Sequence, residues 1–157
     1  MRASTGKSSQ CDVWGTALAV YYDLLDEPEK GNACRKLADS YKNGSLAYKG
    51  NIRHVLIGDD FSPNTVWEFS LARKDTYQNG AYWGTPTGWV CRAIAEADPE
   101  SARKLAAEYI LDLRENDYRK GKNYGAPWEC FHPSGHRQNP VYMATVTCPY
   151  IVFRNLQ

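Results

Sequence analysis

Over residues 13–25 the apolar side chains recur as Val13, Ala17, Val20 and Leu24, with Trp14, Leu18 and Tyr21 alongside. That spacing predicts an amphipathic helix, and Asp12 ahead of it is a good N-cap. Pro28 then stands at a first-turn position, Cys34, Leu37, Ala38 and Tyr41 form one stripe, and Gly44 reads as the stop. A second helix follows after a very short turn. The construction repeats with a helix over 87–97 carried by Val90, Ile94 and Ala97, then Asp98 as cap and Pro99 at the first helical position. A stripe of Ala102, Leu105, Ala106, Tyr109, Ile110 and Leu113 completes this second hairpin. Residues 141–153 are apolar but rich in β-branched side chains and interrupted by Pro149, so a helix ending near Cys148 and a strand both fit; we take the helix.

Two long connections, 44–76 and 116–139, contrast with the tight turns inside the hairpins. Loops of that length inside a domain are usually functional. In a stack of antiparallel hairpins the tight turns gather at one pole and the long connections at the other, together with the start of the first helix. Asp12 and both long loops are therefore expected on one face. The fold class expected from this pattern is all-α, built from antiparallel helical hairpins.

The length of 157 residues suits one domain with a real core. Residues 1–10 are polar and read as a disordered or tag-like N-terminus, leaving 11–157 as the folded part. Charge narrows the partners: 19 basic residues against 18 acidic ones give no footprint for nucleic acid or an anionic membrane surface, which favours a neutral partner. No stretch approaches the roughly 18 apolar residues of a membrane span, and no signal-type apolar segment opens the chain. A soluble protein is expected, and cysteines at 11, 34, 91, 130 and 148 with no CxxC pair and an odd count speak against a disulfide scaffold and for a cytoplasmic setting. Aromatic residues are abundant, with 5 Trp and 11 Tyr, which suits stacking on flat apolar faces such as those of sugar rings.

The candidate chemistry lies in the loops. Residues 77–89 combine Tyr77, Tyr82, Trp83 and Trp89 with the amides of Gln78 and Asn79 and the hydroxyl of Thr87 at a helix entrance. Aromatic rings can stack on sugar C–H faces while each amide offers a donor and an acceptor to hydroxyls; the plainer alternative is that Trp83 and Trp89 anchor the loop to the core. In residues 126–135, Glu129 stands between Trp128 and Phe131 in a loop held by proline and glycine, a setting that can desolvate and orient a general base. A surface glutamate beside a structural tryptophan is the competing account. Cys130, His132 and His136 match no standard zinc spacing, so no metal is assigned. Arg53 and His54 in the first long loop are candidates to reach a substrate, although a minor strand over 52–57 is an alternative. Asp12 is a possible second carboxylate whose N-cap role already accounts for it.

Three segments together resemble the C-terminal part of bacterial six-hairpin glycoside hydrolases, the group related to trehalase and similar inverting glucosidases. They are Cys-Asp-Val-Trp-Gly-Thr-Ala at 11–17, the 77–89 segment ending in Pro-Thr-Gly-Trp, and Trp-Glu-Cys-Phe-His-Pro-Ser-Gly at 128–135. The resemblance runs from Gln10 onward and departs from the trehalase signature at Thr87, where that signature has asparagine. It implies part of an (α/α)6 toroid and Glu129 as general base, with no cofactor. The sugar-binding cleft it implies is lined by 78–89 and by the matched Asp12, Trp14, Trp128 and His132. It further implies a carbohydrate substrate, a general acid upstream of the segment matching Asp12, and homo-oligomerisation through exposed toroid edges. A non-catalytic carbohydrate-binding or assembly module on the same fold is the alternative.

Overall fold

A computed structural model describes residues 1, 10–59, 71–117, 119 and 126–155. The expected N-terminal tail, apart from residues 1 and 10, and the middles of both long connections lie outside these residues.

Four helices form where the periodicity places them, and a fifth continues past its expected end at Cys148. Helix α1 spans Val13–Tyr21 and is capped by Asp12, whose carboxylate accepts from the Gly15 N–H at 2.9 Å. It ends one turn earlier than its apolar stripe because Asp23 turns left-handed at φ 55 and Leu24 is left exposed. Helix α2 spans Glu29–Lys42 and buries Cys34, Leu37 and Ala38, the predicted stripe. Helices α3, Thr87–Ala97, and α4, Pro99–Glu115, are joined by Asp98, which caps α4 by accepting from Ser101 N–H at 3.1 Å with Pro99 in the first turn. Helix α5 runs Ala144–Arg154 and carries Pro149 in its interior, fully buried. Helix α3 packs against each of the other four, so it is the hub of the main core of Val13, Leu37, Ile52, Val90, Ile94 and Leu105.

The all-α expectation is overturned. The long connections contain short strands β1 (Ala47–Tyr48), β2 (Asn51–Arg53), β3 (Tyr82–Trp83), β4 (Cys130–Phe131) and β5 (Arg137–Gln138). These pair antiparallel in the order β1-β2-β3-β4-β5, so the fold is mixed α/β and not a part of an all-α toroid. Strands of two or three residues are too short to show a period-2 pattern, which is why only the 52–57 alternative hinted at one. With the toroid go its exposed edges. The apolar side chains left at the surface of the helices include Ile110 and Leu111 on α4 and Tyr150 and Ile151 on α5. Among the described residues, no helix is long and apolar enough to cross a membrane, and all five cysteines are free thiols.

Sheet and helices meet at unusually close range. Gly50, at φ +72, lies where a Cβ would run into the backbone of Tyr109 on α4. A Cβ on Gly84 would stand 2.6 Å from Thr145 Cγ2, and one on Gly88 would stand 2.9 Å from Pro149 Cα and Val152. The buried Thr87 hydroxyl donates to Gly50 O at 2.9 Å, and the Tyr109 hydroxyl donates to Thr145 O. Gly50→Ala combines a left-handed backbone with a backbone clash, and each costs about 1–3 kcal/mol. A loss of about 2–6 kcal/mol in urea unfolding is expected from their sum; a loss under about 1 kcal/mol would mean that α4 and the sheet are not tightly apposed.

Candidate functional site

The antiparallel register gives the sheet two chemically distinct faces. Ile52, Trp83 and Cys130 fall in line across neighbouring strands and point to the cores; Asn51, Arg53, Tyr82, Phe131 and Arg137 alternate to the other side. Beyond the edge of the main core, the inner face continues into a second cluster of Ala81, Trp83 and Cys130 with Trp14 and Tyr77 packed on it.

Around that second cluster the structure gathers most of the residues singled out in the sequence. The Trp14 ring lies 5.1 Å from Trp83 edge to face and 4.7 Å from His54, while Tyr77 meets Trp83 at 5.1 Å. Indole N–H groups fix both tryptophans, Trp14 donating to Arg53 O and Trp83 to Tyr77 O, each at 3.2 Å. Tyr77 is held in a strained turn: Asp75 and Tyr77 have φ of 65 and 46, and Gly80 has φ 109. Non-glycine residues in that region persist only where their surroundings enforce them, and they cluster at functional sites. Here the Asp75 N–H donates to Asn79 O at 2.7 Å and the Tyr77 N–H to His136 Nε2 at 3.3 Å.

Glu129 lies at the far end of this ridge. Its side chain is buried, and Oε2 accepts from the Asn139 amide at 2.6 Å. The Tyr142 hydroxyl also donates to it, and burial together with the Glu129 charge pushes the Tyr142 phenol up. The backbone is equally fixed, since Glu129 N–H donates to both Gln138 O and Asn139 O. Next to it, burial first and the Glu129 charge second push the Cys130 thiol up to about 12, so the sulfur stays protonated at neutral pH.

At the near end, Asp12 Oδ1 stands 3.3 Å from His54 Nε2. Burial works against its charge, but the bonds from His54 and from the Gly15 N–H outweigh it and hold the carboxyl below the usual carboxylate range. Gly15 is what lets the carboxylate sit so close, since a Cβ there would lie 2.6 Å from Asp12 Oδ2.

Several expected ligand contacts turn out to serve the scaffold. Thr87 is fully buried on Gly50 O, and Trp89 packs against the main core as a loop anchor. Asn79 is buried with its amide on Ala72 O at 2.8 Å, and Arg53 is buried with Nε on Val55 O at 3.1 Å. Gln78 remains half-buried beside Tyr77. Tyr82, His132 and Trp128 belong to the other side of the sheet. There Tyr82 stacks on His132 at 5.8 Å with an interplanar angle of 18°, and Trp128 and His132 line a cavity of about 550 Å³. His132 is held by Ser134 at 2.8 Å through Nδ1 and faces Asp75 at 3.7 Å through Nε2; burial leads the effects that lower it below the ordinary imidazole range. Sequence reasoning missed Tyr48, Asn51, Asp112 and Arg137, which share that cavity. The strand register, absent from the apolar pattern, brings Tyr48, Asn51 and Arg137 to one face, and Asp112 meets it from α4 through the Asn51 amide.

No three His, Cys, Asp or Glu side chains converge into a metal-binding group among the described residues. Cys130 Sγ approaches His136 Nε2 at 3.8 Å, but His132 turns to Ser134 and Asp75 instead. Comparison with protein-family models, with curated proteins and with solved structures finds no match to the chain.

Asp12→Ala removes the α1 cap and is expected to cost about 1 kcal/mol at neutral pH. Because the folded carboxyl sits below its ordinary value of 3.8, its contribution is present above that pH and is lost as pH falls through the folded value. Urea unfolding of the two proteins should therefore differ at pH 7 and converge on the acid side of 3.8; a gap that widens in acid would reverse the assignment.

Proposed function

We propose that this chain carries the sugar-binding wall and the general base of an inverting glycoside hydrolase, with Glu129 as the base. The observation that supports it is the setting of that carboxylate: buried, gripped by the Asn139 amide at 2.6 Å and by the Tyr142 hydroxyl, at the end of a ridge of fixed aromatic rings. A carboxylate oriented before substrate arrives needs little reorganisation to hold a water for attack. During inversion the base takes a proton from that water as its oxygen attacks the anomeric carbon. An acid about 6.5–9.5 Å away gives a proton to the departing oxygen on the other face. Trp14, Tyr77 and His54, all half-buried, offer rings to the C–H face of a pyranose, and Gln78 offers an amide to its hydroxyls.

Asp12 is not the acid in this reading. Its oxygens are committed to the Gly15 N–H and to His54, and the family resemblance places the acid on another segment. That same commitment favours a second reading, a non-catalytic carbohydrate-binding module, because it leaves Glu129 as the single candidate catalytic carboxylate among the residues singled out.

Tryptophan fluorescence during titration with maltose, trehalose and cellobiose tests the shared part of both readings. At least one sugar should bind, with Trp14→Ala and Tyr77→Ala each weakening it about tenfold, or about 1.4 kcal/mol. The isolated chain should not turn these sugars over. Binding by none of the sugars would remove the carbohydrate reading, whereas turnover abolished by Glu129→Gln would show that an acid is present on this chain. Adding segments that supply an acid, with turnover appearing and depending on Glu129, would separate the enzyme from the binding module.

A further inference from the structure

The outer face of the sheet forms a site separate from the Glu129 ridge. Tyr48, Asn51, Phe131 and Arg137 of that face line the cavity of about 550 Å³, which the end of α4 and the start of α5 wall in. A volume of that size accommodates a small saccharide. Glu129 and Tyr142 do not line it, although their chain neighbours Trp128, Val141 and Met143 do, so the ridge and the cavity open on different sides of the same segments.

Its rings Tyr48 and Phe131 lie 6.2 Å apart, and both pack on the buried Tyr82, at 5.6 and 6.4 Å. The charges around it are mostly spent. Lys49 faces Asp112 at 3.7 Å and Glu115 at 3.3 Å, and Arg119 meets Asp117 at 2.6 Å. The Asp112 carboxylate accepts from the Asn51 amide at 3.0 Å and from the Asn116 amide at 2.9 Å, and its charge is met by the Lys49 ammonium. Arg137 differs. It stands on β5 directly across from Phe131, is exposed, and meets no carboxylate among the described residues.

We propose that this cavity binds an acidic saccharide, with Tyr48 and Phe131 against the C–H face of a hexuronate ring and the Arg137 guanidinium on its carboxylate. A planar guanidinium matches a carboxylate with two parallel hydrogen bonds, and a ring beside it shields that pair from water. A neutral sugar would use the rings and leave the cation idle. The site does not rest on Glu129 being catalytic, and its ligand class differs from that of the ridge.

Isothermal titration with digalacturonate and with its neutral counterpart galactobiose, at low and at high salt, tests the proposal on the full chain. The uronate should bind at least tenfold tighter, its affinity should fall with salt, and Arg137→Gln should abolish the preference while Arg137→Lys restores part of it. Tyr48→Ala should weaken binding of the uronate about tenfold. Unchanged thermal melts confirm that these exposed substitutions leave the fold intact. Trp14→Ala, on the ridge, should leave uronate affinity where it was, so that failure of one site is told apart from failure of the other. Equal affinity for the two saccharides, or a preference that survives Arg137→Gln, overturns the proposal.

Discussion

Everything in this fold depends on how closely a sheet can be set against the ends of helices. Gly84 lies just ahead of α3 and Gly88 in its first turn, and a third glycine, Gly50, faces α4 from the turn between β1 and β2. A single added carbon at any of the three meets another chain segment. With main chains this near, the Thr87 hydroxyl and the Tyr109 hydroxyl reach carbonyls on neighbouring elements, and Thr145 in turn donates to Trp128 O at 2.8 Å. Those buried bonds carry the position of α4 and α5 into the 126–131 segment. Leaving any of them unmade inside the core would cost the desolvation of its partner, about 1–3 kcal/mol, so the junction is specific as well as tight.

The sheet is a partition one strand thick. Strand β4 shows this most clearly, since Cys130 faces the inner aromatic cluster and Phe131 the outer cavity. Alternation along a strand makes that division automatic. Glu129, next in the chain to Cys130, is buried and anchored by the Asn139 amide and the Tyr142 hydroxyl, while two residues away the chain borders a cavity with a different complement of charge. Their rigidity comes from one source, because both sides hang on the same backbone bonds between residues 129–132 and 136–139.

The helices were legible from local chemistry. Asp12, and Asp98 followed by Pro99, mark helix starts through their own side chains; the stripes of α2 and α4 bury Cys34, Leu37, Ala38, Ala102, Leu105 and Tyr109 as spacing selects, while Ile110 of the α4 stripe is exposed. The sheet was not legible, because β3 pairs with β2 and β4 across gaps of tens of residues and all five strands are too short to alternate. That omission alone turned a mixed fold into an all-α expectation. The site divides along the same line. Trp14, Tyr77 and Trp83, rings that stand out in the sequence, come together in one cluster. Thr87, Asn79 and Arg53 satisfy buried carbonyls, since the groups that bind sugars also serve that purpose and sequence does not say which carbonyl is nearest. Tyr48 and Arg137 went unnoticed because nothing beside them in the chain marks them.

The distribution of thiols gives the molecule an internal clock. Cys91 is buried on α3, Cys34 on α2 and Cys130 on β4, whereas Cys11 and Cys148 are half-accessible. An alkylating reagent reaches the first three only when the surrounding elements open, and opening free energies differ from one part of a protein to another. Modification at Cys91 thus times the loss of the helical hub, modification at Cys130 times the fraying of the sheet, and the interval between them measures how far the partition can loosen before the core gives way.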